Sequence, residues 1–580
     1  MNENRTQAYI QLINALLDCP NGEEPQILQA HSELVDLGFM QACEVFAETL
    51  AEGGQENSAN FLRNLASQLG EFSGRSQDGN SDYVAFLMQL LQTVSNSEGN
   101  PQEVYPFLQQ NLDKLDLQLV QILTDWAKDT FEKVEATQAN GIAAAIFNLG
   151  SLIKQFPLGS RLGNLEIAIA CYEVVSIVFN REAFPEDWAT TQNNLGNAYL
   201  YRIRGEKAEN LEMAIACYTA ALSLYTREAF PEDWAMTQNN LAIAYTNRIR
   251  GEKAENIEHA IASYTAALEV RTREAFPGDW AQTQNNLAIA YWDRIRGEKA
   301  ENIENAIASS TAALEVRTRE AFPGDWAMTQ NNLGLAYWDR IRGEKAENIE
   351  SAIRCYTATL EIYTREAFPG DWAQTQNNLG NAYWNRIRGD KAENIESAIC
   401  CYTAALEVRT PEAFPGDWAM TQNNLGNAYH DRIRGEKSEN LEIAIAYYSA
   451  ALEVYTREAF PQNHAETLFN LGFAYRDVPN LQLARDTFAA AIDTVEFLGG
   501  EIYSGDESKQ KLAEEWNKLY RNMVEVCLEL KNYTEAIEYV ERSKARNLVE
   551  LLATRDLYPK GEIPQAVQTE VQRLRQEIEV

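Results

Sequence analysis

A chain of 580 residues with 85 Asp and Glu against 50 Lys and Arg has a formal charge of −35. That charge repels phosphate backbones and anionic membrane surfaces, and argues against nucleic acid as a partner. The 8 cysteines form no CxxC pair, only the vicinal Cys400 and Cys401, so neither a disulfide framework nor a zinc site is indicated and reduced thiols in the cytoplasm are expected. No apolar run approaches the ~18 residues of a membrane span, and the opening MNENRTQAYIQLINALL has no cleavage site after it, so neither insertion nor export is expected.

Residues 1–72 read as a leader of short amphipathic helices, with Tyr9, Leu12, Ile13, Leu16 and Leu17 lining one and Pro20 to Glu24 breaking it. The region 73–140 opens on the linker-like SGRSQDGNS and continues as helix, interrupted around Asn100 and Pro101. Sustained alternation of β-branched residues is missing throughout, so the fold class is all-α.

From Arg181 onward the chain repeats itself every 46 residues, with Trp188, Trp234, Trp280, Trp326, Trp372 and Trp418 on one beat and Pro185 to Pro461 on another. A fixed period of this length means a stacked array. Each copy reads as two helices. Pro185 suits the first helical position, and Glu186 and Asp187 lie in the first turn where the helix dipole favours carboxylates. Trp188, Leu195 and Tyr199 share one face, and a bulky residue in every copy is expected in the core. Gly205 is expected to end this helix and Asn210 to cap a second, which carries Ile215, Tyr218 and Leu222 at helical spacing. Arg202, Arg204 and Lys207 of the intervening RIRGEK segment are expected to pair with Glu206 and Glu209 as a solvated ladder.

These residues resemble the tetratricopeptide repeat (TPR), whose L-G-x2-Y and A-x3-F-x2-A positions fall on Leu195, Gly196, Tyr199, Ala214, Tyr218 and Ala221. That unit spans about 34 residues. The surplus lies partly in RIRGEK and partly beyond the second helix. After Pro461 the residues Leu471, Gly472, Tyr475, Ala484, Phe488 and Ala491 keep the unextended spacing. A degenerate copy at Asn148, Leu149 and Gly150 precedes the set, and another follows around Ala536, Val540 and Ser543. The expected organisation is therefore an array at 141–498 and a terminal helix pair at 499–553.

The resemblance implies an α-solenoid whose first helices line a groove that binds a protein segment. It places Asn193, Asn239, Asn285, Asn331, Asn377 and Asn423 in that groove, invariant among copies. Two neighbouring positions vary: Asn197, Ile243, Ile289, Leu335, Asn381 and Asn427 at one, and Leu200, Thr246, Trp292, Trp338, Trp384 and His430 at the other. Carboxamides can donate to and accept from an extended backbone, so the invariant asparagines are expected to supply affinity, the three tryptophans selectivity. On this reading, alanine at Asn285, Asn331 and Asn377 leaves the fold intact and abolishes partner capture.

The stretch EAIEYVERSKARNLVELLATRDLYPKGEIP from Glu535 resembles the segment joining a TPR array to a CHAT domain, a caspase-like cysteine peptidase fold of bacterial proteins, and the N-terminal leader looks like theirs. Residues 554–580 are then a connector, and the uncapped helical pattern at Val580 leads one to expect a downstream effector domain. This implies an array that regulates or targets an effector; the alternative is an adaptor with no enzyme attached. His31, His259, His430 and His464 stand in no strand-bearing region, so no catalytic residue and no cofactor are expected within this chain.

Overall fold

The computed structural model describes residues 81–501 and 506–554, with isolated positions elsewhere; the expected leader helices, most of the SGRSQDGNS linker and the connector after 554 lie outside the described residues. All regular structure among the described residues is helical. The chain divides into two compact units, Met1–Val270 and Arg271–Val580.

In the first unit, α1 (residues 81–96), α2 (Pro101–Gln109) and α3 (Leu117–Lys133) lead into the pairs α4 (Ala136–Gln155) with α5 (Arg161–Val175), α6 (Pro185–Leu200) with α7 (Lys207–Leu222), and α8 (Pro231–Asn247) with α9 (Lys253–Leu268). Asp116 caps α3, accepting from the N–H groups of Gln118 and Leu119 at 2.9 and 3.1 Å, and ties it to α1 through the Tyr83 hydroxyl at 2.7 Å. One continuous apolar core runs from Phe86 to Ala244. The helices before residue 141 therefore pack onto the array rather than forming a separate core.

The second unit continues the pattern with α10 (Pro277–Trp292) and α11 (Lys299–Leu314), α12 (Pro323–Trp338) and α13 (Lys345–Leu360), α14 (Pro369–Trp384) and α15 (Lys391–Leu406), and α16 (Pro415–His430) and α17 (Lys437–Val454). The shorter copy supplies α18 (Pro461–Asp477) and α19 (Leu481–Glu501), and the terminal pair is α20 (Asp506–Glu529) with α21 (Tyr533–Thr554). From α4 onward, within each unit, the two helices of a pair pack on each other and the second helix packs on the next pair, the nearest-neighbour layout of a TPR-type solenoid.

The apolar stripe buries differently from its sequence appearance. The deepest first-helix side chain is alanine, at Ala189, Ala281, Ala327, Ala373 and Ala419, all fully buried. The tryptophan one position earlier is only half-buried. Trp188 shares a small cluster with Ala189, Ala221, Tyr225 and Phe230, while the Arg181 guanidinium stands 5.5 Å over its ring. It sits in the first helical turn, where one side of the ring faces the cation rather than another helix. The large core residues are instead the second-helix tyrosines Tyr218, Tyr356, Tyr402 and Tyr448, which lie against Gly196, Gly334, Gly380 and Gly426. A Cβ on Gly426 would come within 2.4 Å of the Tyr448 ring, so glycine here permits the close approach of the two helices.

Two boundaries also move. The first helix ends at Leu200, and Gly205 serves the following turn at φ +80, a left-handed conformation that other residues adopt only at a cost. The second helix starts at Lys207 after Glu206, so Asn210 is not its cap. Buried one turn in, Asn210 donates from Nδ2 to the Arg204 carbonyl at 2.9 Å and clamps the RIRG turn. Asn348, Asn394 and Asn440 do the same at the same distance. Before the first helices that start at Pro231 to Pro461, a threonine such as Thr318 or Thr364 accepts from the N–H three residues on, at 3.2 Å, which shapes the TREAF turn leading into Pro323 or Pro369; Asn180 does the same before Pro185.

Candidate functional site

The first helices of successive copies touch one another within each unit, and the invariant asparagines lie at that contact. Asn193, Asn285 and Asn377 are almost wholly buried, Asn423 nearly so, and Asn331 half-buried. Each faces the next copy. Asn377 Oδ1 accepts from Thr421 Oγ1 at 3.4 Å and from Asn424 Nδ2 at 3.1 Å, and Asn193 Oδ1 from Thr237 and Asn240, both at 3.3 Å. Asn285 accepts from Asn332 at 3.1 Å, Asn331 from Thr375 at 3.5 Å, and Asn423 from Asn470 at 3.3 Å. The ladder is an inter-copy fastening, and its oxygens are turned into the stack instead of toward a bound segment. Sequence reasoning missed the donors, Thr421 and Asn424 and their equivalents. Their fixed places in every copy are the only signal for them.

Asn197, Asn381 and Asn427 stand at the partly exposed position one turn on. Each accepts a hydrogen bond from the buried tyrosine of its own second helix: Tyr218 at 2.9 Å, Tyr402 at 2.7 Å and Tyr448 at 2.8 Å. The hydroxyl fixes which end of the carboxamide is inward. Each Nδ2 then remains as a donor with no bond among the described residues.

Trp292, Trp338 and Trp384 end their helices, partly buried. Trp292 Nε1 donates to Asp339 Oδ2 of the next copy at 2.8 Å, and Trp384 Nε1 to Asp431 Oδ2 at 3.1 Å. Lys299 and Lys345 donate to the carbonyls of Trp292 and Trp338 at 2.6 and 2.8 Å, with their ammonium groups 5.7 and 5.2 Å over the indoles. In the following copy His430 takes the tryptophan's place. Its Nδ1 lies 3.5 Å from Asp431, and its Nε2 lies 3.2 Å from Asp477 but off the axis of a hydrogen bond. Burial alone would raise the Asp431 carboxyl; the bonds to His430 and Trp384 outweigh it and hold the group below its usual range. The face thus runs from Ile289, Trp292, Leu335 and Trp338 to Asn381, Trp384, Asn427 and His430, edged by carboxylates that the sequence reading did not single out.

The second RIRG arginine pairs with the glutamate equivalent to Glu209 in the preceding copy, Arg388 with Glu347 at 2.7 Å and Arg434 with Glu393 at 3.9 Å, both solvated; the first arginine finds a different partner. Arg202 grips Glu166 of the preceding copy through Nε and Nη2, both at 2.7 Å. Arg340 holds Glu304 at 2.8 and 2.9 Å, and Arg386 holds Glu350 at the same two distances. These fork-to-fork pairs are bolts between copies, each guanidinium also stacking on the tyrosine before it, as Arg386 does 5.9 Å over Tyr383. The arginine hydrogen bonds hold Glu304, Glu350 and Glu396 below the usual carboxylate value of 4.5. A depressed folded-state pKa contributes stability above the unfolded value and loses it as pH falls through the folded one. Stability is therefore expected to decline in acid, starting below about pH 4.5. Arg386→Gln should flatten that decline in a pH series of thermal melts; an unchanged slope would show that the bolt carries no pH-dependent stability.

Four segments, residues 188–229, 234–273, 326–363 and 372–412, match the tetratricopeptide repeat family. No curated protein matches the chain. Among solved structures, the C-terminal part of a TPR repeat-containing protein from Cytophaga hutchinsonii is 12% identical, over 53% of this chain and 98% of its own, with a TM-score of 0.33. The apo form of RapI is 13% identical over 71% and 97%, with a TM-score of 0.40. A human IFIT1 dimer with m7Gppp-AAAA is 15% identical over 79% and 94%, with a TM-score of 0.36. The chain carries tetratricopeptide repeats in consecutive packed helix pairs. No described helix is long and apolar enough to cross a membrane, and no three described His, Cys, Asp or Glu side chains gather as a metal site.

Proposed function

We propose that this repeat array is a protein-interaction scaffold, and that the first-helix face of residues 271–580 takes an extended segment of a partner protein. The observation that carries the reading is the fixed pair Asn381 and Asn427. Tyr402 and Tyr448 hold their oxygens at 2.7 and 2.8 Å, and their Nδ2 groups are left to donate to backbone carbonyls. Packed helices lie about 8–10 Å apart, and an extended chain rises roughly 3.3 Å per residue. A segment crossing the copies would therefore meet one such amide about every three residues. Ile289 and Leu335 occupy the same position in the preceding copies, so the segment presents apolar side chains there and bare backbone to the amides. Trp292, Trp338 and Trp384 form the edge that selects side chains.

The connector-like stretch from Glu535 supports a finer reading: the array regulates or targets an effector, a CHAT peptidase beyond this chain. We place the protein in the cytoplasm. Burial pushes the Cys217, Cys355 and Cys401 thiols up to about 12, which suits packing residues that stay reduced.

The test is the double variant Asn381→Leu, Asn427→Leu. Leucine already stands at this position as Leu335, so the chain should still fold, at a cost of about 1 kcal/mol for each tyrosine hydrogen bond removed, while capture of the partner from lysate is lost. Undiminished capture by the folded variant would place binding elsewhere.

A further inference from the structure

A second surface lies where the first helices begin, and it does not depend on the groove reading. Three copies put a buried arginine beside the aspartate of the following PGDW turn. Arg271 stands 3.5 Å from Asp279, and Arg317 and Arg409 stand 3.7 Å from Asp325 and Asp417. Each also donates to the threonine one turn deeper, Thr283, Thr329 or Thr421, at 3.2, 3.1 and 2.9 Å. The copies beginning at Pro231, Pro369 and Pro461 carry tyrosine there instead, and the Pro369 copy combines it with an exposed aspartate. Tyr363 replaces the arginine and turns its hydroxyl back to the Gly324 carbonyl, 3.4 Å away. Asp371 is exposed and has no ion-pair partner among the described residues. The nearby arginines are committed elsewhere, Arg319 to Glu361 and Arg365 to Glu407.

Beside Tyr363 lies an open cleft of about 510 Å³, lined by Phe322, Gly324, Asp325, Met328, Phe368 and Asp371 among others. Both phenylalanines are substantially exposed, at 44% and 39%. Aromatic walls beside a carboxylate suit a planar cation, which stacks on the rings and bonds the acid through its fork. The chain itself shows what fits this position, since its sister copies fill it from within. We propose that the Asp371 cleft receives an arginine side chain of a partner protein, in the place that Arg317 and Arg409 take in their own copies. A net charge of −35 favours the approach of such a basic segment.

Met328 lines the cleft and provides a reporter in the full chain labelled with ¹³C-methyl methionine. Titration with N-acetyl-arginine amide should shift the Met328 resonance saturably, whereas the neutral N-acetyl-citrulline amide should leave it in place. Asp371→Asn should weaken the response at least about tenfold, the scale of one charge-assisted pair. Tyr363→Arg restores the sister-copy arrangement, and should abolish the response in a chain that still folds. A Met328 signal indifferent to arginine, an equal response to citrulline or to N-acetyl-lysine amide, or a full response in Tyr363→Arg would each overturn the assignment. Because Asn381 and Asn427 are untouched throughout, failure here leaves the groove reading intact.

Discussion

Tyr402→Ala is expected to cost about 3–5 kcal/mol, the range for removing a large ring from a well-packed core. Tyr402 is 1% exposed, lies with its ring against Gly380, and spends its hydroxyl on Asn381. Because a repeat array couples mainly to its neighbours, the loss should appear as faster amide exchange in Pro369–Trp384 and Pro415–His430 before it reaches the ends of the unit. Tyr402→Phe keeps the ring and should cost only about 1 kcal/mol, the net worth of one hydrogen bond. The copy with Ser310 at this position already lacks the ring, and its buried hydroxyl has no hydrogen-bond partner among the described residues. Exchange as slow in Tyr402→Ala as in the parent would mean that the tyrosine–glycine contact does not hold the pair together.

Alanine at Asn285, Asn331 and Asn377 together is expected to lower the melting temperature sharply. The sequence reading expects the opposite, an intact fold with lost binding. The difference is burial. Removing Asn377 takes away the acceptor of the Asn424 amide, while the Thr421 hydroxyl keeps the Asp417 carbonyl at 2.8 Å, and removing Asn285 takes away the acceptor of the Asn332 amide. Each hydrogen bond lost at these part-buried contacts costs about 1 kcal/mol, and three consecutive copies are weakened at once. A triple variant that melts with the parent would return the asparagines to the surface.

That reversal marks the limit of what the letters carry. The period, the proline at each helix start, the two-helix copy and the surplus at RIRGEK and TREAF are all legible, because they depend on local spacing and turn chemistry. Asn193 and its equivalents are harder. An amide repeated in every copy fits a ligand-lined groove and a satisfied inter-helix contact equally well, and the deciding partners, Thr237 and Asn240, lie in the next copy. Asn210 misleads for a related reason: asparagine serves as a cap or as a clamp on the preceding turn, and only the exact start of the helix at Lys207 separates the two. The tryptophans look like core because bulk usually is, yet a first-turn position leaves one side of the ring to arginine. The alternation of Tyr225, Arg271, Arg317, Tyr363, Arg409 and Tyr455 at one position was visible in the sequence. Its meaning needed the distances to Asp279, Asp325 and Asp417.

The claim that the first-helix face receives a protein segment is tested most directly by photo-crosslinking from that face. A benzophenone amino acid at Asn385, exposed one position beyond Trp384, should crosslink in cells to one partner, and mass spectrometry should map the site to a single extended stretch. The same probe at Cys400, exposed on the second helix, is the control. The account predicts a crosslink from Asn385 that Asn381→Leu, Asn427→Leu removes, with none from Cys400. A crosslink from Cys400 alone, or one from Asn385 that survives the double variant, would contradict it.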